Sequence, residues 1–204
     1  MNIWEAIEQR RSVKHFDPTH VVSDEDFKKL MDAVLLSPTS FNIQNWRFVL
    51  VQDPDKRKEL RKVAWNQAQI TEASLCFVIC ADLKAWAKEP NRYWRNAPQE
   101  IQNILLPAID QCYKNDCQLE RDEAMRSAGI AAQTLMLAAK GMNLDSCPMV
   151  GFDFKKVADL IHLPPDHVVS LIVTVGKALK PARPRGGQLP LNEVLFLNHF
   201  PESP

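Results

Sequence analysis

The fold is decided by an apolar stretch in the second half of the chain, Ala128-Gly129-Ile130-Ala131-Ala132-Gln133-Thr134-Leu135-Met136-Leu137-Ala138-Ala139. The stretch belongs to a helix that the pattern predicts near residues 120–140, and it is apolar almost all round. A helix without a polar face must lie at the centre of the core or at a subunit interface. Gly141 is predicted to follow this helix as residue C′, where a left-handed backbone favours glycine.

Strand-like and helical patterns surround this helix. Continuous apolar runs predict a strand over 48–51, expected to be covered on both faces, and a second buried strand over 75–81. A short strand is predicted around 146–150 and a longer one over 168–176. Helices are predicted over 2–10, from Ser23 to before Pro38, over about 55–64, near 99–114 and from Asp153.

Two segments depart from this regular pattern. The stretch 83–98 contains Trp86, Tyr93 and Trp94, and it is predicted to be an irregular insertion or lid. Its aromatic residues would form either a wall over a bound ligand or part of the packed core. The tail 177–204 keeps apolar side chains between its prolines, which favours a tail that covers a partner subunit. A length of 204 residues predicts a single domain, 1–204.

Composition narrows the class of protein. Lysine plus arginine and aspartate plus glutamate both number 25, so the net charge is zero, which argues against a general nucleic-acid or membrane-surface binder. The longest apolar runs are far shorter than the roughly 20 residues of a membrane-spanning helix. The first residues do not resemble a signal peptide, and the five cysteines show no CxxC pair. A cytoplasmic protein with reduced cysteines is expected.

Several common catalytic and binding motifs do not occur in the sequence. There is no Walker A loop, no GxGxxG and no GxSxG. The five histidines lack metal-ligand spacing, so no metal site is predicted. Carboxylates pair only on predicted helix surfaces. Any chemistry would therefore have to come from a bound cofactor.

A short basic cluster lies near each end of the chain. The first comprises Arg10, Arg11, Ser12 and Lys14, and the second comprises Arg183 and Arg185. Guanidinium groups suit bidentate contacts to phosphate, so the two clusters together suggest one anionic ligand held by both ends of the chain. Alternatively, the first cluster complements the dipole at a helix C-terminus, and the second is a solvated basic loop.

Three further segments are candidates for binding. The loop 38–46 offers the polar residues Thr39, Ser40 and Asn42 between a helix and a strand, or it is only a connection built from side-chain turns. The turn after Cys147 exposes backbone N–H groups before a helix, or it is an ordinary strand-to-helix turn. Asn66 and Gln69 lie one helical turn apart and could equally be a surface pair.

In combination, these segments resemble the FMN-dependent nitroreductase family. The resemblance rests on the order and spacing of the 10–16 cluster, the 38–46 loop, Asn66, the 148–152 turn, the 168–176 strand with Lys177, and Arg183 with Arg185. It implies an α+β domain with a mainly antiparallel sheet flanked by helices. It also implies an intertwined homodimer that binds two FMN molecules at its interface.

The resemblance assigns roles to individual residues. Those implied for the phosphate and ribityl end of FMN are Arg10, Ser12, Arg183 and Arg185, with Arg11 alongside. Lys14 would lie at the pyrimidine edge and favour the reduced cofactor electrostatically, and Asn66 would bind there too. Gln69 is a further expected cofactor-binding residue. The loop residues Pro38, Thr39, Ser40 and Asn42 would come from the other subunit. The turn residues Pro148, Met149, Val150 and Gly151 would lie against the ring, with a backbone N–H toward N5.

The implied reaction carries hydride from NADH or NADPH through FMN to a nitroaromatic, quinone or similar small acceptor, and no side chain is a catalytic residue in it. Alternatives are an enone reductase or reductive dehalogenase of the same fold, and a non-catalytic flavin-binding protein.

Two positions depart from the family pattern. Asn45 replaces a proline found in many relatives, and Val150 replaces a glutamate. Loss of that carboxylate is expected to shift substrate preference.

Overall fold

A computed structural model describes residues 1–201 as an α+β fold built on one four-stranded sheet. The strands lie in the order β1-β2-β4-β3, and every neighbouring pair is antiparallel. Their bounds are β1 Trp46–Leu50, β2 Leu75–Asp82, β3 Asp145–Met149 and β4 His167–Gly176. The predicted antiparallel sheet is therefore confirmed.

Helices cover the two faces of this sheet. The longer ones are α1 Ile3–Gln9, α2 Asp24–Val34, α3 Pro54–Val63, α6 Gln99–Tyr113, α7 Cys117–Gly141 and α8 Phe154–Leu160. All six were predicted from the sequence. Three single-turn helices were not, namely α4 Gln69–Glu72, α5 Asn91–Trp94 and α9 Leu191–Val194. Within residues 1–201, no helix combines the length and the apolar character needed to cross a membrane.

Side-chain alternation along β2 divides the core into two layers. Phe77 and Ile79 face α7 and α2, where Leu135 and Leu30 are fully buried. The intervening residues on β2 face α3, α8 and the segment after α1, as shown by the buried cluster Val13, Phe16, Leu60, Cys76, Val78, Cys80 and Val157. The sheet therefore lies between two layers, with one helix layer on each face.

Strand β1 differs from its prediction because it lies at the edge of the sheet. Four of its five residues are only half-buried, whereas all eight residues of β2 are buried. An apolar run identifies a strand, but its exposure depends on which neighbours it receives, and β1 has one neighbouring strand. The expectation that 48–51 is covered on both faces is therefore wrong for the single chain.

Helix α7 has one buried face and one open face. Ala128, Ala132 and Leu135 pack into the core. On the other side, Ile130 and Leu137 line a groove of about 800 Å³ shared with α1. The C-terminus of α7 differs from its prediction, because Gly141 is its last helical residue and the left-handed conformation is adopted by Asn143, with φ of 60°.

The segment 83–98 is packed against the domain. Trp86 stacks on Tyr113 of α6, and its Nε1 donates to the buried Glu120 of α7 at 2.8 Å. Lys88 Nζ lies 2.9 Å from the buried carboxylate of Asp82 and 2.7 Å from that of Asp166. The aromatic residues of this segment therefore contribute to a small core with α6.

Replacing Lys88 with methionine removes the cation that bridges Asp82 and Asp166. We expect Lys88→Met to lower the free energy of unfolding at neutral pH by about 1–3 kcal/mol, because the buried Asp82 loses its charge-assisted hydrogen bonds from Lys88 and keeps, among the described residues, only those from Arg47 and the backbone N of Lys84. Hydrogen bonds from Lys88 and then from His167 lower the pKa of Asp166 to about 2. A lowered pKa stabilises the fold above the ordinary carboxyl value, and this stabilisation is lost as the pH falls toward 2.

The measurement is thermal unfolding of the parent protein and of Lys88→Met from neutral pH to about pH 3. The difference in melting temperature between the two proteins should narrow below about pH 4. Lys155→Met, which removes an exposed pair with Asp159, is the control and should change little. Equal effects of the two substitutions at every pH would contradict the role given to Lys88.

Candidate functional site

A basic cleft of about 540 Å³ lies where α1 ends, beside β3. It is built from both ends of the chain, from the segment before α4 and from α4 itself. Its lining residues are Arg10, Arg11, Ser12, Lys14, Gln67, Gln69, Arg183, Pro184, Arg185, Gly186 and Gln188. The two basic clusters that the sequence paired are therefore adjacent in the structure.

The segment after α1 adopts an extended conformation beside the sheet. Val13 N donates to Ser146 O of β3 at 3.1 Å, and Asp17 N donates to Lys177 O at 2.8 Å. Because side chains alternate along an extended chain, the burial of Val13 directs Ser12 and Lys14 toward the cleft. The pairing of this segment with β3 thus positions Ser12 and Lys14.

The C-terminal tail is attached to α1 by two arginines. Arg185 Nη2 donates to the carbonyl oxygens of Glu8 at 2.9 Å and of Arg10 at 3.2 Å. These carbonyls lie at the C-terminal end of α1, where the helix dipole favours a cation. Arg11 Nη2 donates to the carbonyl oxygen of Arg183. Arg11 and Arg185 therefore hold the wall of the cleft together.

Arg10 is the residue whose environment points to a ligand. Among the described residues, its Nη1 is buried without a hydrogen-bond partner. Burial lowers the pKa of Arg10, and the neighbouring charges of Arg185 and Arg11 lower it further. A buried guanidinium nitrogen beside two other cations is costly unless an anion binds there. The cleft is therefore a candidate anion site.

A chain of polar side chains leads from this cleft to the turn after β3. Lys14 Nζ lies 3.4 Å from Cys147 Sγ, and Gln69 Nε2 lies 3.8 Å from the same sulfur. Gln69 Nε2 also donates to Gln67 Oε1, and Gln67 Nε2 donates to Gly151 O at 2.9 Å. Sequence reasoning missed Gln67, which reaches the cleft from the segment before α4, and Cys147, which the register of β3 brings close to Lys14.

The predicted turn residues differ in exposure. Met149 is buried and Pro148 half-buried, whereas Val150 is 66% exposed. A Cβ at Gly151 would lie 2.7 Å from the ring of Trp65, so glycine permits this close approach. Trp65 is itself 76% exposed and has a positive φ of 53°. Sequence reasoning did not single out this tryptophan.

Two predicted elements lie outside the basic cleft. Asn66 Oδ1 accepts from Arg61 Nε at 2.8 Å and lines a neighbouring groove. The loop before β1 packs on the 83–98 segment, since Asn42 Nδ2 donates to Tyr93 O at 2.9 Å. Thr39 Oγ1 accepts from Gln44 N within the loop. The Oδ1 atom of Asn45, just before β1, is buried without a hydrogen-bond partner among the described residues.

The loop and the cleft lie at opposite corners of the sheet. The loop precedes β1 at one edge, whereas Ser12 pairs with β3 at the other, three strand spacings or about 14 Å away. The two also differ in position along the strands. Trp46 pairs with Ala81, near the C-terminal end of β2. Ser146 pairs with Val175 of β4, which in turn pairs with Leu75 at the N-terminal end of β2. A single chain therefore does not bring Pro38, Thr39, Ser40 and Asn42 to the arginine cleft.

Comparison with known proteins agrees with this fold. The model of the nitroreductase family matches residues 7–177. "Protein DrgA" of Synechocystis sp. (strain ATCC 27184 / PCC 6803 / Kazusa) is 50% identical over 202 residues, covering 97% of this chain and 96% of that protein. "Putative NAD(P)H nitroreductase YodC" of Bacillus subtilis (strain 168) is 33% identical, covering 95% and 97%.

Solved structures show the same similarity. A "putative nitroreductase in complex with FMN" from Exiguobacterium sibiricum 255-15 superposes with a TM-score of 0.90 at 25% identity, covering 97% of this chain and 98% of that chain. The "putative nitroreductase ydfN" of Bacillus subtilis gives a TM-score of 0.89 at 28% identity, covering 95% of this chain and 97% of that chain. The family resemblance inferred from the motifs is confirmed.

Inorganic phosphate tests the cleft as an anion site. Phosphate should raise the melting temperature above that in chloride of equal ionic strength, with a gain of about 1.4 kcal/mol at ten times its Kd. Arg10→Gln should abolish this gain. Without phosphate, the Arg10→Gln variant should be no less stable than the parent protein, because the substitution removes an unpaired cation that lies beside Arg185 and Arg11.

Lys180→Gln is the matched control, since it removes the same charge from an exposed position in the tail. It should leave the effect of phosphate unchanged. If phosphate stabilises the parent and Arg10→Gln equally, Arg10 does not form an anion site.

Proposed function

Because the chain belongs to the nitroreductase family of oxidoreductases, we propose that it is an FMN-dependent enzyme. It would take reducing equivalents from NADH or NADPH and pass them to nitroaromatics, quinones or similar electron-poor acceptors. The observation that carries the proposal is the unpartnered, buried Nη1 of Arg10 in a cleft lined by cations. The FMN bound by the Exiguobacterium structure and the name of YodC support the choice of cofactor and reductant.

The residues present fit FMN. A phosphate satisfies the unpaired nitrogen of Arg10, and Arg11, Ser12, Arg183 and Arg185 complete the wall for the phosphate and ribityl end. Farther along the cleft, Lys14 and Gln69 offer donors to the carbonyl-rich edge of a flavin. Asn66, whose Oδ1 accepts from Arg61, would contribute its Nδ2 donor from the neighbouring groove. The turn formed by Pro148, Met149, Val150 and Gly151 would cover one side of the ring.

Bound FMN supplies the hydride-transferring centre that the chain itself lacks. The protein contributes position and charge. Lys14 places a positive charge near the cofactor, which favours a reduced, more negative state. Val150 presents an exposed apolar side chain where the family resemblance implies a carboxylate, so the mouth of the site would have one negative charge fewer. Acceptors that are themselves anionic should therefore be better tolerated.

We propose that the functional unit is a homodimer with FMN at its interface. The loop residues 38–42 lie at the opposite corner of the sheet from the cleft, so a second subunit would have to supply them. The groove between α1 and α7 exposes the apolar side chains of Ile3 and Ile130, and Trp4 is also exposed on α1. The tail 177–204 would cover the partner, and it exposes Leu191 and Leu197 in the single chain. Residues 202–204 of this tail lie outside the described part of the chain.

An anaerobic titration tests the enzymatic proposal. Purified protein loaded with FMN should be yellow, should bleach on addition of NADH or NADPH, and should recover its colour when a quinone or nitroaromatic is added. A flavin that bleaches but is not reoxidised by these acceptors would favour an enone reductase or a reductive dehalogenase. A flavin that never bleaches would indicate a binding protein, and a chain that takes up no FMN would overturn the proposal.

A charge on the open face of α7 tests the dimer. Ile130→Glu should convert the protein to a monomer in analytical ultracentrifugation, because it places a carboxylate in the apolar groove. FMN affinity should fall at least tenfold, since the loop of the partner is lost, while stabilisation by inorganic phosphate remains. Val21→Glu, at an exposed position outside the groove, is the control. A monomeric parent protein with full FMN affinity would contradict the dimeric site.

A further inference from the structure

The thiol of Cys147 lies beneath the polar side chains of the cleft. Its residue is completely buried on β3, and two donors converge on its sulfur, Lys14 Nζ at 3.4 Å and Gln69 Nε2 at 3.8 Å. The sulfur also lies 3.7 Å from the carbonyl oxygen of Pro148, within donor range of its own S–H. The thiol proton is thus directed to Pro148, which leaves the lone pairs for the two donors.

We propose that Cys147 is a positioning residue that fixes Lys14 and Gln69 for the carbonyl-rich edge of FMN. The inference rests on the proposed function, because it takes FMN as the ligand of the cleft. Cys147 does not touch the reacting atoms in this account. It acts through the side chains that it holds.

The physical basis is the conformational freedom of lysine. A lysine side chain has about 2 kcal/mol of rotamer entropy, so an exposed Lys14 would spend little time at one position. The contact with sulfur restricts that freedom before the cofactor binds. Preorganised charge is more effective than mobile charge, because no ordering cost remains when the ligand changes its charge. The side chain of Gln69 is restricted by its own contact with the sulfur, and it also donates a hydrogen bond to Gln67.

The other buried thiols of the sheet have different surroundings. Cys76 and Cys80 lie on β2, and burial raises the pKa of each to about 12. Cys80 Sγ has a weak contact with the carbonyl oxygen of Val78 at 3.9 Å and, among the described residues, none with a lining side chain of the cleft. Cys80 therefore provides a matched control for loss of a buried thiol.

The test is a double-mutant cycle on FMN affinity, measured for oxidised and for reduced cofactor. Cys147→Ala should lower the ratio of reduced to oxidised affinity about three- to tenfold, because Lys14 is no longer held near the cofactor. A tenfold change equals about 30 mV in the two-electron midpoint potential. Cys147→Ser, which keeps an acceptor, should restore most of the ratio. Cys80→Ala should leave it unchanged.

The cycle is completed in a Lys14→Met background, where Cys147→Ala should have almost no further effect on the ratio. An equal effect with and without Lys14 would overturn the positioning role, as would a Cys147→Ala ratio no different from that of Cys80→Ala. If Cys147→Ala does not fold, Cys147→Val replaces it, since valine fills the site without an acceptor. Failure of the parent protein to bind FMN would instead refute the proposed function, and this inference with it.

Discussion

The guanidinium of Arg185 at the carbonyl end of α1 is the contact on which the site depends. Together with the bond from Arg11 to Arg183, it fixes the C-terminal tail against the first helix. The same contacts gather four arginines around one cleft and leave a nitrogen of Arg10 buried without a hydrogen-bond partner among the described residues. Local stability alone does not explain such an arrangement, because like charges repel and the orphaned donor is costly. A bound anion removes both penalties.

The antiparallel sheet determines how much of the site one chain can build. Its β3 edge carries the arginine cleft, and the register between β3 and the segment after α1 sets Lys14 over Cys147. Its β1 edge carries the loop that ends at Asn45. Because these edges are separated by the full width of the sheet, a cofactor that touches both would require two subunits. The open groove on α7 gives such a partner an apolar surface to cover.

Sequence patterns predicted the strands, the longer helices and the meeting of the two basic clusters, because these follow from periodicity, capping and charge. Other features depend on long-range pairing that no local pattern records. The exposure of β1 follows from its place at the edge of the sheet. Cys147 reaches Lys14 only through the register of β3, across 133 residues of sequence. The end of α7 was mispredicted because Asn143, like glycine, accepts a left-handed backbone.

Calorimetric titration with FMN and with riboflavin, which lacks the phosphate, tests the central claim most directly. If the buried guanidinium of Arg10 binds the phosphate, the parent protein should prefer FMN to riboflavin. Arg10→Gln should lose about 1.5–3 kcal/mol of affinity for FMN, or roughly ten- to hundredfold, and almost none for riboflavin. An equal loss for both ligands, or no preference in the parent protein, would show that the arginine cleft does not hold the phosphate of the cofactor.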